Sequence, residues 1–127
     1  MKGVIQLFLV LGIGFIWAQE EAQERLKSLR IAYLSQEMDL LPEEAQAFWP
    51  TYNARDAALE KSRQEIKERL TSLQAVKGTL SPEAYRDSVS SLYLLLWQRE
   101  AEIRKRFHED FKRVLPPQKL ARFYLAE

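Results

Sequence analysis

The chain has 127 residues, with 19 Lys and Arg against 18 Asp and Glu, one His and no Cys. That balance gives no general attraction to nucleic acid or to an anionic surface, and the missing thiols exclude disulfides and lipid attachment through cysteine. The length suits one modest domain and not two.

Met1-Lys2-Gly3 precede an almost unbroken apolar stretch, Val4 to Trp17, which closes on Ala18 before Gln19-Glu20-Glu21. A positive start, an apolar middle and a small residue at the cut are the layout of a cleavable signal peptide. The stretch is shorter than the about 20 apolar residues that span a bilayer. We therefore expect residues 1–18 to be removed near Ala18 and residues 19–127 to form a single soluble periplasmic domain with no stable membrane anchor. Losing Lys2 leaves eighteen basic residues against eighteen acidic ones.

The mature part is predicted to be all α, because it shows no alternating strand pattern and has a single glycine, Gly78. A first helix is expected from about 20 to 38. Leu26, Leu29, Tyr33 and Leu40 form one apolar stripe on it, and Ile31, Leu34 and Met38 form another on nearly the opposite side. A helix apolar on two sides needs cover on both.

Three local patterns then mark helix starts: Leu40-Leu41-Pro42-Glu43, Leu80-Ser81-Pro82-Glu83 and Leu115-Pro116-Pro117-Gln118. Proline in a first turn gives up an amide that has no partner there anyway, and an acidic or amide side chain follows near the positive end of the helix dipole. Ser81 is a good N-cap. Leu41 and Pro116 have no capping side chain, so those two starts must satisfy their amides differently.

These starts predict a second helix from 42 to about 76, a third from 82 to about 114 and a short last one from 117. Gly78 is expected to end the second helix by turning left-handed. The two central helices are each about 50 Å long at 1.5 Å per residue and are joined by a short loop, so they must form a long antiparallel hairpin with the first and last helices packed on it. Ala45, Tyr52, Leu59, Ile66 and Leu73 recur every seven residues as one side of the seam, with Arg55, Asp56, Ser62 and Arg63 as a polar border. Val89, Leu92, Leu96, Ile103, Phe107, Phe111 and Val114 answer from the third helix. Glu65 with Arg69, Glu100 with Arg104, Glu102 with Arg106 and Glu109 with Arg113 are spaced for i,i+4 ion pairs. Pro50, two turns into the second helix, is expected to bend it beside Phe48, Trp49 and Tyr52.

No catalytic residues are assigned. The chain lacks a nucleophile motif and a phosphate loop, and Glu100 and Glu102 fall on different faces of their helix. No cofactor and no metal ligands are expected either, since His108 has no second His at i+3 or i+4.

The stretch from Leu40 to Asn53, in which Leu41, Pro42, Glu43, Glu44, Phe48, Trp49, Pro50, Tyr52 and Asn53 stand out, resembles the first signature of Spy/CpxP-like periplasmic proteins. It does so in the Phe-Trp-Pro-x-Tyr-Asn version found in sensors of ECF-type sigma factors. Leu115, Pro117 and Gln118 are similar to the second signature. The resemblance implies a four-helix hairpin that can pair as a homodimer and that works without enzymatic activity. Its implied role is in envelope stress, by signalling to a membrane regulator, by ATP-independent chaperone binding of unfolded envelope proteins, or by both. Alternatives within the same fold are heavy-metal sensing and a purely structural envelope role.

The residues themselves supply an apolar surplus. Leu92-Tyr93-Leu94-Leu95-Leu96-Trp97 carries apolar side chains all the way round a helix. If Leu92 and Leu96 face the hairpin, Leu94 and Trp97 point away from it with Ser90 and Ala101. Ile31, Leu34, Met38, Leu94 and Trp97 are the candidate contact residues. They cover one another within the chain, meet a second copy, or meet a client protein.

Overall fold

The computed structural model describes the backbone of residues 2–127 and the side chains of residues 14–127. Most of the stretch read as a signal peptide, Met1 and the side chains of residues 2–13, therefore lies outside the described residues. Four helices follow one another: α1 (Lys2–Met38), α2 (Pro42–Ala75), α3 (Pro82–Val114) and α4 (Pro117–Ala126), with a 3₁₀ turn at Lys77–Thr79 between α2 and α3. Helix α1 starts well before the expected position near residue 20 and passes through Ala18 without a break. Among the described residues no helix is long and apolar enough to cross a membrane. The chain divides into two compact units, residues 41–120 and residues 1–40 with 121–127.

The larger unit is the α2–α3 hairpin with the first turn of α4. On α2 the buried residues are Phe48, Tyr52, Arg55, Leu59, Ser62 and Ile66. Their spacing alternates between four and three, the signature of a heptad seam. Arg55 and Ser62, expected as a polar border, are thus a correction: each lies three residues beyond an apolar heptad position and so falls on the same face. Arg55 is 2 % exposed, and its guanidinium lies 5.2 Å from the Tyr52 ring centre and 5.5 Å from that of Phe111. Its planar, weakly hydrated head suits such a place between rings. The Ser62 hydroxyl is buried with no hydrogen-bond partner among the described residues, an arrangement that costs about 1–3 kcal/mol.

One antiparallel register holds along the whole hairpin. Glu44 meets Lys119, Arg63 meets Glu100, Glu65 meets Arg99, and the Lys77 ammonium lies over the Tyr85 ring. These cross-hairpin pairs replace the i,i+4 pairs expected for Glu65 and Glu100. Glu109 and Arg113 also choose other partners, Lys112 and Asp110, at three-residue spacing. A facing helix offers Glu65 and Glu100 cations beside a half-buried seam, where an ion pair is less screened than on an open helix face. Helix α2 continues through Pro50 without interruption, and Thr51 Oγ1 donates to the Ala47 carbonyl at 3.2 Å beside it. Phe48, Trp49 and Tyr52 do cluster there, with ring centres 4.8–5.8 Å apart.

Chain reversals follow local chemistry. Gly78 has no positive φ, against expectation; α2 leaves through the 3₁₀ turn, where the Thr79 amide and hydroxyl both donate to the Val76 carbonyl, at 2.9 and 2.7 Å. Ser81 Oγ accepts the Ala84 amide at 3.1 Å, as an N-cap should. Ser81→Ala is expected to lower stability by about 1 kcal/mol in urea denaturation, with no change in helical content at 25 °C.

The α2 start is closed from behind. Leu41 has no side-chain acceptor, but the Glu44 carboxylate accepts the Leu41 amide at 2.9 Å and also binds Lys119 of α4's first turn. Half of a capping box is thereby joined to a cross-hairpin ion pair. The Lys119 hydrogen bond and then the Leu41 amide hold the Glu44 carboxyl below its ordinary value; burial opposes them, and the Lys119 charge adds a lesser lowering effect. Because the folded value is the lower one, the stability this clamp contributes is present above the unfolded pKa of about 4.3 and is lost as pH falls through the folded value. Glu44→Gln should therefore unfold earlier than wild type in urea at pH 7, with the gap closing as the pH is taken down through the carboxylate range. A gap independent of pH would contradict the clamp.

In the smaller unit, Leu34, Met38 and Phe123 are buried. Helix α1 ends at Asp39, the one described non-glycine residue with positive φ, at 51°. Its amide bonds the Gln36 carbonyl and the next amide, Leu40, bonds Ser35, each at 3.2 Å. These two bonds are a Schellman termination with Asp in the place usually taken by Gly.

Candidate partner-docking surface

Helix α3 has two apolar faces, and only one is used inside its unit. Phe107 and Phe111 are buried, and Val89, Leu92, Leu96, Ile103 and Val114 are half-buried along the seam. The ion pairs Arg63–Glu100 at 2.8 Å and Glu65–Arg99 at 3.0 Å flank that seam and fix the rotation of α3 about its own axis. With that rotation set, the remainder of the six-residue apolar run must face outward. Tyr93, Leu94 and Trp97 are 42 %, 62 % and 60 % exposed. The Tyr93 and Trp97 rings lie 6.1 Å apart, one turn along the helix. With the exposed Ser90 and Ala101 they form a stripe of small and large side chains along about three turns of α3.

The other candidate contact residues divide. Leu34 and Met38 are 2 % and 0 % exposed, so they are core and not a contact surface, and Ile31 is half-buried. On α1 it is instead Leu26, Leu29 and Tyr33 that stand in solvent. Tyr93 joins the surface although it was not among the expected contacts; its place four residues before Trp97 was the available signal.

The two motif segments come together at one end of the hairpin. Phe48 stacks against Phe111 with ring centres 5.4 Å apart, Leu115 and Leu120 are buried, and Glu44 holds Lys119. Trp49 is half-buried, whereas Leu41, Pro42, Glu43, Pro50, Asn53, Pro117 and Gln118 are exposed. These residues build the end of the core and its caps. A shallow groove of about 540 Å³ runs beside Lys61 and Ser62 of α2 and Arg99 and Arg106 of α3; Glu65 and Arg99, two of its lining residues, are bound to each other. Among the described residues no group of three or more His, Cys, Asp or Glu is placed to hold a metal ion.

No protein-family model matches the chain, and neither does any curated protein or solved structure.

Proposed function

We propose that this chain is an exported, non-enzymatic helical protein of the Spy/CpxP-like arrangement, which works in the bacterial envelope by contact with other proteins. The observation that carries this reading is the exposed Tyr93–Leu94–Trp97 stripe on a helix whose opposite face is already committed to the hairpin. Amphipathic aromatic side chains concentrated on one exposed face are what protein contact surfaces use as anchors. The meeting of the 41–53 and 115–118 segments at one end of an antiparallel hairpin supports the family reading. In a chaperone role the stripe would cover apolar segments of unfolded envelope proteins without ATP. The Phe-Trp-Pro-x-Tyr-Asn stretch favours a second use of the same surface, docking on a membrane regulator of an ECF sigma factor to report stress.

The test begins with the exported protein, whose intact mass should correspond to a start at Gln19. This mature chain, at a few-fold excess over a chemically denatured substrate protein diluted into buffer, should suppress light scattering in a saturable way with no nucleotide present. Scattering unaffected at any ratio, together with no captured membrane regulator in crosslinking from intact cells, would refute the contact reading.

A further inference from the structure

The outward stripe of α3 does not end in neutral surface. Arg104 lies seven residues beyond Trp97 and Lys105 four beyond Ala101, both exposed and both continuing the same row. At 1.5 Å per residue they sit about 10 Å past the Trp97 anchor. The i,i+4 partner available to Arg104 is Glu100, but Glu100 is drawn across the hairpin to Arg63 at 2.8 Å. The acid four residues beyond Lys105 is Glu109, which is held by Lys112 at 3.2 Å. The remaining cations of α3 are all engaged: Arg86 by Asp87, Arg99 by Glu65, Arg113 by Asp110, and Arg106 over the Phe107 ring. Arg104 and Lys105 alone on this helix have no such partner among the described residues. At the opposite end of the stripe Arg86 and Asp87 neutralise one another.

We propose that the surface is polar in direction, and that its partner is a protein segment carrying apolar or aromatic anchors followed at one end by acidic residues. Leu94 and Trp97 receive the anchors and Arg104 and Lys105 the carboxylates. The inference rests on the contact reading above and adds the chemistry and orientation of what is bound. Unpaired cations beside an apolar stripe speed encounter with an acidic partner and choose among partners more than they add affinity, and their effect weakens with salt over a Debye length of about 8–10 Å.

The test uses the full mature chain and three labelled peptides with one shared Leu- and Phe-rich core, ending in Glu-Glu, Gln-Gln or Lys-Lys, with fluorescence anisotropy as the readout. The acidic peptide should bind on the order of five- to ten-fold tighter than the amide one, as expected for two exposed ion pairs, and the lysine peptide weakest. Arg104→Glu with Lys105→Glu should abolish or invert that order while Leu94→Ala with Trp97→Ala weakens all three. Equal binding of the three peptides, still dependent on Leu94 and Trp97, would overturn the acidic partner and leave the contact reading standing. No binding by any peptide, and none to denatured protein, would overturn both. Binding to phosphatidylglycerol vesicles that needs Arg104 and Lys105, with no preference among peptides, would overturn the proposal in favour of a lipid surface.

Discussion

Phe111→Ala is expected to lower the unfolding free energy by about 3–5 kcal/mol, a large share of the roughly 5–15 kcal/mol that holds a domain of this size. Phe111 is fully buried and packs against the Phe48 ring at 5.4 Å. Removing its ring takes away apolar burial, opens a cavity beneath Phe48 and strips one of the two rings that flank Arg55. Helices on a two-helix seam have few neighbours to collapse into the space, so relaxation recovers little. Urea denaturation measures the loss, and the double variant with Phe48→Ala should fall short of the summed single losses, because the two rings form one contact. A loss below about 1 kcal/mol for Phe111→Ala would mean that the hairpin is not anchored at this end.

The helix starts were legible in the sequence because proline, serine and glutamate act locally: Ser81 caps α3 through a bond three residues long, with no help from the rest of the fold. Heptad spacing likewise gave away the antiparallel seam. What could not be read locally is what depends on the facing helix. The i,i+4 rule places Glu100 with Arg104, and only the register of α2 against α3 shows that Arg63 is the partner. Arg55 and Ser62 looked like border residues by polarity, although their spacing put them on the buried face. Gly78 was credited with a turn that Thr79 closes with its hydroxyl, while the left-handed residue is Asp39, whose side chain gave no such signal. The candidate surface was readable on α3, where the seam residues Leu92 and Leu96 fix what points away. It was not readable on α1, whose two apolar stripes are equivalent until one of them is buried at Leu34 and Met38.

Leu94→Ala combined with Trp97→Ala should separate surface from core. Leu94 and Trp97 are 62 % and 60 % exposed, so truncating them opens no cavity, and alanine is the better helix former at both places. Unfolding in urea is therefore expected to move by no more than about 0.5 kcal/mol, in contrast to Phe111→Ala. Association is another matter. An exposed Trp that becomes buried on contact contributes about 2 kcal/mol or more to binding when it is a hot spot, equivalent to a thirty-fold weakening, and Leu94 beside it adds apolar area that the partner would otherwise desolvate. The double variant should thus lose nearly all suppression of client aggregation, and any self-association seen in sedimentation, while melting like wild type. The single variant Tyr93→Phe should keep both, since it retains the ring that lies 6.1 Å from Trp97 and removes only a hydroxyl. Loss of melting temperature by the double variant, with client protection unchanged per folded molecule, would assign Leu94 and Trp97 to the core and leave the contact reading without its surface.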